Sequence, residues 1–172
     1  EELVIAEAEA GDIHEDDAVY RLAKVLAPNG VSLSVAATGR VNIKVEKTSL
    51  VHLFTERLLA FNLINEGLTC STVQHHQLLS SGQMVATLKI IPFFLSVRAV
   101  EAAEAILAEG ALFTCHPLQG CNAGLIQTVS PALKKSVRKT THKVTDERLS
   151  ALGCSLVSVS YTHLTLPTIF RV

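Results

Sequence analysis

The chain has 172 residues, 48 % of them hydrophobic, and a formal net charge of -1, which suits one domain and part of another around a core and provides no global field for nucleic acid or an anionic membrane. Trp is absent and aromatics make up only 5 %, which argues against base-stacking platforms and aromatic cages. No apolar run approaches the ~20 residues that span a bilayer, and the opening EELVIAEAEAGD lacks the cationic and apolar regions of a signal peptide.

VIAEA at 4–8 reads as a strand, and Gly11-Asp12 breaks it before a helix over 14–27 whose Ala18, Val19, Leu22, Ala23 and Leu26 recur at helical spacing. Asp12 is the expected N-cap. Glu15, Asp16 and Asp17 suit the positive end of the helix dipole, and Pro28-Asn29-Gly30 ends the helix. Period-two alternation in VSLSVAA (31–37) and VNIKVEK (41–47) around Thr38-Gly39-Arg40 predicts a hairpin with one wet face. Thr55 is placed to cap a short helix over 56–65, and LTCSTVQ (68–74) reads as a strand. After a turn at Ser80–Gln83, MVATLKIIPFFL is a strand that Pro92 ends or pushes to an edge. Ser96 caps the next helix, which offers Val97, Val100, Ala103, Ala105 and Leu107 as its apolar side and stops at Gly110. Residues 1–120 are therefore expected to form an α+β front domain with a β-rich subdomain near 31–95.

GLIQTV (124–129) is a continuous apolar run of parallel-strand type, followed by a Ser130-Pro131 loop, a polar helix to Leu152, a stop at Gly153 and the strand CSLVSV. This is the opening βαβ unit of a doubly wound domain, so the fold class is α/β overall, with residues 121–158 as the start of a second domain. Such a unit cannot bury both faces of its sheet alone. The chain starts at Glu1 in mid-strand pattern, and SYTHLTLPTIFRV at its end looks like translated adapter sequence, so the reading is of a truncated fragment with an artefactual tail at 159–172.

Four segments in order, VIAEAEAGDIHEDDAVYRLA, TGRVN, SGQMVATLKIIPF and GLIQTVSPALKKSVRKTT…DERLSALG, resemble the bacterial molybdopterin-binding proteins that belong with the molybdenum-cofactor biosynthesis enzymes. The likeness covers about residues 3–157. It implies that Gly124 opens a molybdopterin-binding domain, with molybdopterin as the small-molecule ligand of the full-length parent. The parent is then a binder, a nucleotidyltransferase or a molybdotransferase of that pathway. The resemblance also implies that the glycine-rich phosphate loop lies beyond this chain, so no cofactor is expected on the fragment. The residues agree: after Gly124 the only glycine is Gly153, and no GxGxxG or GxxxxGK[ST] occurs.

What remains of a ligand site is the loop after 124–129, where doubly wound folds place ligands. Thr128 and Ser130 offer hydroxyls, and Lys134 adds a cation at the helix start. The structural alternative is that both hydroxyls cap the helix and the lysines form a solvated face. Cys70, Cys115, Cys121 and Cys154 have no CxxC spacing and read as reduced core hydrophobes of a cytoplasmic protein. His75-His76 near Cys70, and Cys115-His116 near Cys121, match no zinc spacing, so no metal is expected. His14 beside Glu15 and Asp16 has the chemistry of a general base, yet an imidazole at a helix start is ordinary. No nucleic acid and no membrane are expected as partners, and homo-oligomerisation stays open. The alternative function is a non-catalytic structural or protein-interaction module, because SSGQMVATLKI resembles a turn of barrel-sandwich folds, although Lys89 lies within the strand and not at a hairpin tip.

Overall fold

The computed structural model describes residues 6–130 and 132–163. The fold is mixed α/β, as expected, with two compact units, residues 1–117 and 118–172. Among the described residues no helix is long and apolar enough to cross a membrane.

In the first unit β1 (Asp12–His14) leads into α1 (Glu15–Leu26). Of the strand expected at 4–8, residues 4–5 lie outside the described residues and 6–8 are irregular. The N-cap of α1 is His14, whose Nδ1 accepts the Asp16 N–H at 3.3 Å, while Asp12 instead accepts the Glu9 N–H at 3.1 Å. The expected cap was two residues early because Asp12 is already committed to the preceding turn. Ala18, Val19, Leu22, Ala23 and Leu26 are buried, the apolar stripe that the helical period demands.

The helix packs on an antiparallel sheet of β2 (Val31–Leu33), β3 (Arg40–Val45), β7 (Met84–Ile90) and β5 (Leu68–Thr72), in the order β2-β3-β7-β5. The β2–β3 hairpin forms as expected, and Thr38 (φ 50) and Gly39 (φ 65) are both left-handed at its turn. Two positive φ values give the twist that a two-residue hairpin needs. Three further strands, β4 (Ser49–Leu53), β6 (Leu78–Leu79) and β9 (Phe113–Pro117), form a second sheet with β4 at its centre. Ser49, Val51 and Leu53 point inward, and Leu50 and His52 toward solvent.

Phe54 caps α2 (Thr55–Asn62), and Thr55, the expected cap, is instead its first residue. β8 (Phe94–Ser96) pairs antiparallel with β1 and leads into α3 (Val97–Glu109), so each strand of that pair feeds a helix. Ser96 caps α3 through the Ala99 N–H, and Gly110 ends it at φ 148. Ala99 takes the buried position expected of Ala105, which is exposed. The strands of 31–95 share their sheets with flanking segments, β4 with β9 and β8 with β1. One core, including the fully buried Phe61 and Phe113, serves the whole unit.

The second unit has parallel strands β10 (Asn122–Val129) and β11 (Ser155–His163) joined through α4 (Lys135–Ala151). Strand, polar helix and strand occur where the apolar run, the charge pattern and Gly153 (φ 74) put them. Only Gln127 and Val129 of β10 are buried, and no residue of α4 is. Residues 159–163, read from the sequence as the start of the tail, continue β11, with Leu125 to Val129 opposite Val159 to His163. Residues 164–172 lie outside the described residues.

Candidate functional site

Thr128 is exposed at the carboxyl end of β10, between the buried Gln127 and Val129. Strand alternation sends its side chain to the opposite face from theirs. Ser130 follows, also exposed, with its carbonyl accepting the Leu133 N–H at 3.0 Å. The N-cap of α4 is Lys134, with extended backbone and no side-chain cap bond. Thr128 and Ser130 thus do not cap the helix: Thr128 lies at the end of β10, while Ser130 and Lys134 lie on its connection to α4.

The charge at this helix start is the reverse of that at α1. The first turn of α1 holds three acids, Glu15, Asp16 and Asp17, whereas α4 has no acid there and begins with Lys134 and Lys135. Cations at the positive end of a helix dipole are unfavourable by themselves, and an anion placed there relieves both the dipole and the lysines. The connection can therefore receive an anionic group through hydroxyls, amide N–H groups and lysine.

A second polar cluster lies on the outer face of β4. His52 projects from the strand, and the segment after β5 turns back along its edge, with the His76 N–H on the Val51 carbonyl at 2.8 Å. This gathers His52, His75 and His76, whose ligand atoms lie within 4.8 Å of one another. The His75 and His76 rings are 3.7 Å apart between centroids. A metal is nonetheless opposed by one hydrogen bond: His75 Nδ1 accepts the Leu53 N–H at 3.0 Å. In a neutral imidazole whose Nδ1 accepts, Nε2 carries the proton and has no lone pair to give a cation. Desolvation, then the like charges of His76 and His52, hold the His75 imidazole below the ordinary histidine value. Cys70, the neighbour that sequence offered to this pair, is buried in the core with its thiol pushed up to about 12 by desolvation. Among the described residues the His116 ring hydrogen-bonds the Thr114 hydroxyl, at 3.0 Å.

Three of the segments that carry the resemblance converge around the Thr38-Gly39 turn. The Gly39 N–H donates to Asp16 Oδ1 at 2.8 Å, the Ile90 N–H to the Gly39 carbonyl at 2.7 Å, and the Glu15 N–H to the Phe93 carbonyl at 2.9 Å. The Asp16 carboxylate is thus engaged in holding a turn. His14 itself is occupied in capping, which removes the lone pair a general base needs at Nδ1.

Beside the histidine face, Phe54, Arg57, Ile106 and Glu109 line an open cleft of about 470 Å³. The Arg57 guanidinium is committed to the end of α3, donating to the Ala111 carbonyl at 2.6 Å and lying over the Phe54 ring. Comparison with protein-family models, curated proteins and solved structures finds no match to this chain.

Sequence reasoning missed two groupings. His52 has no sequence signal linking it to His75, because strand-edge pairing brings them together. Cys121 and Cys154 are not core residues: Cys121 is exposed, Cys154 half-buried, and their sulfurs lie 3.1 Å apart. Only the correct register between the two strands of the βαβ unit reveals that contact.

Proposed function

We propose that the chain belongs to a cytoplasmic molybdopterin-binding protein of the molybdenum-cofactor pathway, and that Thr128, Ser130 and Lys134 contact the phosphate of the pterin ligand. The observation that carries this reading is the β10–α4 connection, at the carboxyl end of a parallel strand, with two lysines and no acid where a helix dipole calls for negative charge. The four resemblance-bearing segments supply the identity of the anion. Whether the parent also transfers a nucleotide or inserts molybdate depends on residues beyond this connection.

The groups at the connection bound the affinity. Each hydrogen bond contributes about 0.5–1.5 kcal/mol net, against an association cost of at least ~4 kcal/mol. A few such bonds roughly cancel that cost, so the chain binds no more tightly than about millimolar, where the free energy is only about -4 kcal/mol. A fluorescence titration with a phosphorylated pterin is the test. Binding no tighter than millimolar, weakened several-fold by Lys134→Ala and by added inorganic phosphate, is expected. Micromolar binding that ignores Lys134→Ala places the ligand elsewhere and ends this assignment.

A further inference from the structure

We infer that Cys121 and Cys154 form a dithiol–disulfide modification site, closed reversibly by low-molecular-weight disulfides such as oxidised glutathione. The two residues occupy equivalent places, each immediately before a strand: Cys121 before β10 and Cys154 before β11. The register pairs Asn122 with Ser155, so the preceding cysteines are neighbours too. Several backbone bonds hold them there. The Ser155 N–H donates to the Cys121 carbonyl at 2.9 Å, and the Cys154 N–H to the Leu149 carbonyl at 2.9 Å. Gly153, left-handed at φ 74, turns the chain between α4 and Cys154. The sulfurs are therefore held 3.1 Å apart by the fold and accessible to a small reagent.

The hydrogen bond between the two sulfurs divides their roles. Either sulfur can donate; with Cys121 as donor, the bond holds the Cys154 thiol below its ordinary value and raises that of Cys121. Cys154 is then the better nucleophile at neutral pH. Its thiolate attacks one sulfur of oxidised glutathione, forming a mixed disulfide and releasing one glutathione thiolate. Cys121, losing its proton to solvent, attacks the Cys154 sulfur and expels the second glutathione thiolate. The protein loses two electrons and two protons, and the oxidant is reduced to two glutathiones. Cys70 and Cys115 stay out of the reaction, because burial raises both thiols and removes them from the reagent.

The bridge encloses α4 within its loop, tying together a unit whose helix buries no residue. The full chain is incubated with oxidised glutathione, quenched with acid, alkylated and digested for mass spectrometry. Loss of two of the four thiols, a Cys121–Cys154 cross-linked peptide, and a melting midpoint raised by several degrees and restored by dithiothreitol are expected. Cys121→Ser keeps a glutathione adduct on Cys154, and Cys154→Ser keeps one on Cys121, since neither variant has a second thiol to resolve it. Four free thiols after oxidation, a lasting adduct in the unsubstituted chain, or a cross-link through Cys70 or Cys115 would overturn the inference.

Discussion

The first unit closes a core from helices and sheets on several sides, whereas the second has one helix over two parallel strands and almost nothing buried. In the first, Phe61, Phe113, Leu22, Ile43 and Leu88 are fully enclosed. In the second, Val129 is the lone buried apolar residue among those described, and Ile126 of the same strand is 71 % exposed. Backbone pairing nevertheless runs nearly the whole length of both strands of the second unit, with one register shift between Ala123 and Gly124. Hydrogen bonding and apolar burial are thus separable, and only the second distinguishes the two units. A parallel sheet ordinarily has helices on both faces, and the described part of this one has a helix on one.

That contrast predicts unequal costs for equivalent damage. Phe113→Ala, which empties a fully buried site, is expected to destabilise the first unit by about 3–5 kcal/mol. Val129→Ala removes less volume at a thinly covered position and is expected to cost about 1 kcal/mol. Urea unfolding followed by circular dichroism compares the two, and equal losses would mean that the second unit has a core its described residues do not reveal.

The turn at Thr38-Gly39 sharpens the comparison within the first unit, where local geometry and packing meet. Gly39 is left-handed, and a Cβ there would press on the Ile90 carbonyl oxygen and the Glu15 carboxylate. Gly39→Ala is therefore expected to lose about 1–3 kcal/mol, strain and crowding acting together. Gly30, also left-handed but with open space around its Cβ position, provides the control: Gly30→Ala should cost about 1 kcal/mol or less. A pair of denaturation curves checks this, and similar losses would remove crowding as the cause at Gly39.

The smallest expected effect concerns acid. His75 titrates below its ordinary value in the folded chain, so the unfolded chain binds more protons in the window between the two values. Stability should fall as pH drops below the ordinary histidine range of about 6.5 and level off beneath the folded value. His75→Asn, which keeps an acceptor near the Nδ1 position for the Leu53 N–H, should flatten that limb. A thermal-melt series between pH 8 and 5 reads it, and an unchanged slope would show that the His52, His75 and His76 face does not strain on protonation.

Much of this architecture was legible because it rests on local signals. Helical period marked α1 and α3, the Thr38-Gly39 dipeptide marked the hairpin, and an apolar run, a polar helix and Gly153 marked the βαβ unit. What escaped depended on partners distant in sequence. β4 and β9 are short strands that are stabilised by pairing with each other, Val51 opposite Cys115, across more than sixty intervening positions, and neither stands out in composition. The His14 cap was obscured because Asp12 has the better capping chemistry but a prior partner in Glu9. At the β10–α4 connection the residue types were visible, while the missing side-chain cap was not, since Thr128 and Ser130 were equally suited to capping. The sulfur pair was hidden by the crossover, whose length alone does not fix the register of the strands it joins.

The pairing of β1 with β8 has a consequence in time. Asp12 lies opposite Ser96, so this three-residue ladder closes a loop containing most of the first unit, while the β2–β3 hairpin closes across two residues. Loop-closure entropy must be overcome before so short a ladder returns any stabilisation. The hairpin is therefore expected to form early, and the β1–β8 ladder, which closes nearly the same loop as the Arg21–Glu104 contact between α1 and α3, is expected to form late and together with that packing.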